Sequence, residues 1–110
     1  MSKQKKSSKN KISKAIIHPG KVLEKLLKKH NLTVYRLSKE TKIDASLLGK
    51  IINGDRPISP LVSLSLGKFF GLDDAYWITL QIKYDLKVTK IEKDILIHSI
   101  RRIKEIDVQK

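Results

Sequence analysis

Cysteine is absent from the 110 residues, which removes disulfides and thiolate metal sites from consideration. No apolar run approaches the length of a membrane span, and no basic start followed by an apolar stretch reads as a secretory leader. The expectation is a cytoplasmic protein with no membrane partner. Catalytic equipment is equally scarce: no nucleophile stands beside a base, no carboxylate pair has a pocket-forming context, and no glycine-rich loop could cradle a phosphate. Asp73 and Asp74 are adjacent, but at a helix start acidic residues serve as caps and dipole partners. His18, His30 and His98 lie far apart without ligand spacing, so they read as surface or locally bonded histidines. No enzymatic activity, cofactor or metal is expected.

Acid is also missing from one end. Residues 1–21 hold seven lysines and no aspartate or glutamate, whereas residues 22–88 hold eleven basic and seven acidic side chains, and residues 89–110 six and four. A formal charge of +13 favours a polyanion as partner, most simply nucleic acid, because each neutralised phosphate releases condensed counterions. The chain is long enough for one domain with a modest core. Residues 1–15 contain little to bury and are expected to be a disordered lysine-rich tail. Two readings stand for that tail: a solubilising segment, or an arm along a DNA backbone.

From residue 16 the pattern becomes helical. Val22, Leu23, Leu26 and Leu27 recur at helical spacing, and His30-Asn31 ends this first helix. Thr33 is suited to cap a second helix with Val34, Leu37 and Ser38 facing inward. Thr41-Lys42-Ile43 makes a tight turn, Asp44 caps a third helix from Ala45 to Asn53, and Gly54 supplies a left-handed stop. Ser59 and Pro60 open a fourth helix through Phe70, with Val62, Leu64, Leu66, Phe69 and Phe70 expected inside. Gly71 ends it, and Asp73 or Asp74 begins a fifth that carries Trp77, Ile78, Leu80, Gln81, Tyr84 and Leu86. The sum is an all-α, five-helix domain over residues 16–88, with a helix-turn-helix at its centre. Residues 89–110 form an extension whose isoleucines suit a helical face, although Ile95-Leu96-Ile97 is rich enough in β-formers for a strand. That extension packs on its own domain or forms a dimer or partner contact.

In the third helix, Leu48, Ile51 and Ile52 can face the core, which leaves Ala45, Ser46, Gly49, Lys50 and Asn53 on the outer side. Ser46 and Lys50 can reach a base edge or a phosphate, Asn53 a phosphate, and Ala45 a thymine methyl. Arg36, Lys39, Lys42 and Arg56 flank this face as candidate phosphate contacts. It is a thin reading surface, with no arginine or glutamine, and Gly49 costs about 1 kcal/mol of helix propensity relative to alanine. DNA shape and dimer spacing are therefore expected to share in specificity.

Several runs together resemble a known family: Ile17-His18-Pro19-Gly20-Lys21-Val22-Leu23, Tyr35-Arg36-Leu37-Ser38, Ile51-Ile52-Asn53-Gly54-Asp55-Arg56-Pro57-Ile58-Ser59, Leu64 to Gly71, and Tyr76 to Leu86. Over about residues 17–88 the chain is similar to HigA-type antitoxins and virulence-associated protein I-like proteins, within the Xre/Cro-like, lambda-repressor-like helix-turn-helix class. The opening His-Pro-Gly and the closing Trp-x-x-Leu-Gln-x-x-Tyr-Asp-Leu make the likeness specific. The resemblance implies a DNA-binding domain, usually a homodimer, that binds double-stranded operator DNA, represses its own operon and neutralises a RelE/HigB-like mRNA-cleaving toxin. It assigns the reading positions to Ala45, Ser46, Gly49, Lys50 and Asn53. Two other readings stand beside it: an Xre-type regulator, free-standing or phage-type, without a toxin, and a toxin-binding protein with little operator affinity. The chain departs from the family pattern at Val34, where a glutamine is frequent, and at Lys42, where the turn usually has glycine. Its lysine tail and isoleucine-rich end are further departures.

Overall fold

The computed structural model describes residues 16–106, so the tail expected at residues 1–15 and the last four residues of the extension lie outside the described residues. Among the described residues the chain forms six α-helices and no strand: α1 (Pro19–Lys29), α2 (Val34–Thr41), α3 (Ala45–Ile52), α4 (Pro60–Phe70), α5 (Tyr76–Glu92) and α6 (Asp94–Ser99), then a 3-10 turn, Ile103–Glu105. None of these helices is long and apolar enough to cross a membrane.

Local chemistry accounts for most of the boundaries. Proline occupies the first position of α1 and of α4, where its missing N–H costs nothing. Before them, the His18 Nδ1 accepts from the Gly20 amide at 2.9 Å, and the Ser59 hydroxyl accepts from the Val62 amide at 3.2 Å. Thr33 caps α2 by accepting from the Arg36 amide at 3.0 Å. Asp44 caps α3, its Oδ2 accepting from Ser46 at 3.1 Å and Leu47 at 3.3 Å. Asn31, Gly54 and Gly71 end α1, α3 and α4 with φ of 59°, 82° and 70° respectively.

One face of each of the first five helices converges on a single core. Leu23 and Leu27 of α1, Leu37 of α2, Leu48 and Ile51 of α3, Val62 and Leu66 of α4 and Trp77 of α5 are all buried there. Each such side chain contributes about 1.5–3 kcal/mol by leaving water. The inward face of α4 differs from expectation, because Leu64 is half exposed and Ser63 is fully buried in its place. A hydrogen-bond demand explains the exchange: the Ser63 hydroxyl donates to the Asp74 carbonyl at 2.6 Å and accepts from the Ile78 amide at 3.0 Å, joining α4 to the start of α5. Leu86, expected with the core, is exposed on α5, which continues to Glu92.

Gln81 makes a second polar tie through the core. Its Oε1 accepts from the Ile58 amide at 2.8 Å, and its Nε2 donates to Asp85 Oδ1 at 2.9 Å. The loop between α3 and α4 is thereby attached to α5. Beyond the core, Ile91, Ile95, Leu96, Ile97, Ile100, Ile103 and Ile106 are all exposed. Residues 95–97 are helical, which resolves the alternative of a strand.

Candidate nucleic-acid interface

The unit that presents the candidate residues is α2, the turn and α3. Its turn forms around Lys42, whose φ of 67° and ψ of 14° place a lysine in the left-handed region that glycine adopts more easily. Two hydroxyl groups of α2 offset that strain. Ser38 Oγ donates to the Ile43 carbonyl at 2.5 Å and Thr41 Oγ1 donates to the Leu37 carbonyl at 2.7 Å, while the Ile43 amide donates to Thr41 Oγ1 at 3.3 Å. These bonds fix the angle between the helices without a glycine.

Behind α3, Leu48, Ile51 and Ile52 are buried, so the helix cannot roll without exposing them. Its other side faces solvent: Ala45, Ser46, Lys50 and Asn53 are exposed and Gly49 is half-buried. The spacing of these residues puts them on one helical surface. Asn53 lies one residue beyond the helix as its C-cap, with its amide donating to the Gly49 carbonyl at 3.0 Å. Its side chain therefore stands at the helix end.

The flanking cations differ in availability. Lys39, Lys42 and Arg56 are exposed, but Arg36 Nε is paired with Glu40 Oε2 at 2.8 Å, one turn along the same helix. An exposed pair of this kind is worth about 0.3–0.5 kcal/mol, so a phosphate can displace the glutamate at small cost. The Lys39 ammonium lies 5.5 Å from the ring centroid of Tyr35, a side chain that is 67% exposed. Sequence reasoning missed Tyr35 as a surface feature, although its position four residues before Lys39 on an α2 face opposite Leu37 is the available signal. Asp44 has its Oδ2 engaged by two backbone amides, which spends part of its charge within the cap.

The exit from α3 is braced by His18 and Tyr84, whose rings meet edge-on at 4.8 Å beside the Gly54–Pro57 loop that carries Arg56. Burial, then the charges of Asp85 and Glu92, push the Tyr84 hydroxyl above its ordinary pKa. Over residues 33–57, five cations face three anions, so the surface around α3 carries a net positive charge. A positive rim around a hydroxyl, an ammonium and an amide on a locked helix can hydrogen-bond base edges and neutralise phosphates.

Comparison with known proteins agrees with this architecture. Residues 23–77 match the helix-turn-helix family. The chain is 35% identical to virulence-associated protein I of Dichelobacter nodosus over 78 residues, covering 70% of this chain and 72% of that protein. The Pseudomonas aeruginosa antitoxin HigA, solved with the higBA promoter, superimposes with a TM-score of 0.75 at 27% identity, over 79% of this chain and 97% of that one. An addiction module antidote protein of the HigA family from Coxiella burnetii gives a TM-score of 0.70 at 32% identity, over 84% and 97%. The chain belongs to the Xre-like helix-turn-helix family, alongside virulence-associated protein I.

Proposed function

We propose that this chain is the sequence-specific DNA-binding antitoxin of a type II toxin–antitoxin module, acting in the cytoplasm to repress its own operon and to neutralise a RelE/HigB-like mRNA-cleaving toxin. The observation that carries the reading is the outer face of α3, rimmed by cations and held from behind by Leu48, Ile51 and Ile52. Its likeness to an antitoxin solved with promoter DNA supports the same use here. In this reading Ser46 and Lys50 address base edges, Ala45 and Gly49 border them, and Asn53, Lys39, Lys42, Arg56 and a released Arg36 take phosphates. Residues 16–88 are the DNA-binding domain, and residues 1–15 add backbone contacts.

The test is a footprint of the purified protein on the DNA upstream of its gene. A protected near-palindrome with half-sites about one helical turn apart is the expected result. No protection at moderate salt removes the DNA half of the proposal. Within that assay, Lys50→Ala loses about 1–3 kcal/mol at one base position if the ammonium reads a base. Equal losses on operator and scrambled DNA return Lys50 to a phosphate contact.

The run of exposed isoleucines supports assigning residues 89–110 to a homodimer contact, because large apolar side chains gathered in one short segment gain by leaving water. Ile100→Asp then halves the mass measured by sedimentation, and an unchanged mass places the contact elsewhere. A second reading is favoured by the sparse chemistry of α3, where Ala45 and Gly49 offer no polar group, and by the pairing of Arg36 with Glu40 on α2. There the protein binds toxin with little operator affinity. Co-expression with the product of the neighbouring gene separates the two: a stable complex that leaves the promoter unprotected favours the second. A protected promoter with no such neighbour favours an Xre-type regulator without a toxin.

A further inference from the structure

Glycine at position 49 has no explanation inside the molecule. Gly20 and Gly67 are each met by backbone where a Cβ would stand, and Gly54 and Gly71 have positive φ. Gly49 has neither constraint: it is helical, and a Cβ built on it meets nothing within 4 Å. Alanine would fit and would favour the helix. The bare position lies at the centre of the outer face of α3, one turn after Ala45 and one turn before Asn53. A glycine standing against helix propensity on an outward face is accounted for when something outside comes close to the backbone.

We infer that Gly49 is a specificity-determining position, where the α3 backbone receives the C5-methyl group of a thymine in the major groove. This deepens the DNA-binding reading above and rests on it. A Cβ at position 49 would project into open space, and the neighbouring Ala45 offers only an apolar Cβ on the same face. Among the base edges of the major groove, the apolar group is the thymine methyl. A side chain at position 49 fills the space that methyl takes and lifts the helix away from the bases.

The test compares the native protein with Gly49→Ala in two measurements. Thermal unfolding of the variant occurs about 3–6 °C higher, because helix propensity is gained with no clash. Its affinity for the footprinted operator duplex falls at least about tenfold, with no change on a scrambled duplex at the same salt. Operators in which single thymines are replaced by uracil then locate the contact: at one position the loss of the methyl restores the variant to within about threefold of the native protein. Equal operator affinity of variant and native protein overturns the inference, as does equal weakening on both duplexes. So does a fall in melting temperature, or the absence of rescue at every thymine. A native protein with no preference for its operator overturns the proposed DNA binding as well; in every other failure that reading stands.

Discussion

Replacing Gly20 by alanine is expected to destabilise the protein by about 3 kcal/mol, the upper end of the usual cost of overpacking, because the neighbours are not free to move. A Cβ on Gly20 would stand 1.9 Å from the Ile51 carbonyl oxygen and 2.9 Å from the Ile52 Cα, both backbone atoms of α3. No rotamer change relieves a clash with backbone, so α1 and α3 must separate. The Gly20 amide is also the group that donates to His18, so the same shift strains the cap of α1. In a domain with only about 5–15 kcal/mol to lose, this is a large fraction of the whole. Urea or thermal unfolding followed by circular dichroism measures it. A loss under about 1 kcal/mol, the scale of an ordinary surface change, would show that the two helices part freely. At position 49 the sign is opposite, because a methyl added on the outer side of α3 meets nothing, whereas one added on α1 is driven into the α3 backbone.

Trp77→Ala is expected to cost about 3–5 kcal/mol, the range for truncating a large buried aromatic. Trp77 is fully buried, with its ring centroid 5.2 Å from Tyr76 in an edge-on contact and 6.1 Å from Phe70. Its indole Nε1 is buried with no hydrogen-bond partner among the described residues. Deleting the ring therefore also removes a desolvated donor, which returns about 1–3 kcal/mol and offsets part of the packing loss. A second substitution separates the two contributions. Trp77→Phe keeps most of the aromatic contact and discards the orphaned N–H, so it should lose far less than the alanine variant. Similar losses for both, in the same denaturation assay, would mean that the indole shape rather than its burial holds α5 in place.

The caps of α2, α3 and α4 were legible because their chemistry is local, whereas α5, expected to begin at Asp73 or Asp74, starts at Tyr76 after Ala75 with no side-chain cap. Thr33, Asp44 and Ser59 each bond to amides two or three residues ahead, and that range is visible in a sequence. That Lys42 stands where the resembling family usually has glycine was visible in the sequence, and the structure puts this lysine in the left-handed region. The outer face of α3 followed from helical periodicity. Contacts across longer separations were not legible. Periodicity put Leu64 inside, but the bonds of the Ser63 hydroxyl with Asp74 and Ile78 turned α4. Nothing in the order of residues announced that Gln81 would serve the Ile58 amide, 23 positions away. In the candidate site, exposure was predictable, whereas the pairing of Arg36 with Glu40 was overlooked although both lie on one helical row.

The bond from the Ile58 amide to Gln81 also bears on the order in which the protein is made. The helix-turn-helix is translated before α5, yet the loop leaving it finds its partner only when Gln81 arrives. Until then Trp77 is also missing from the core on which α3 rests. A nascent chain cut short before α5 thus rests α3 on α1, α2 and α4 without Trp77, and with the loop after α3 untied. The core is completed, and the loop after α3 tied down, only in a chain that has reached Gln81.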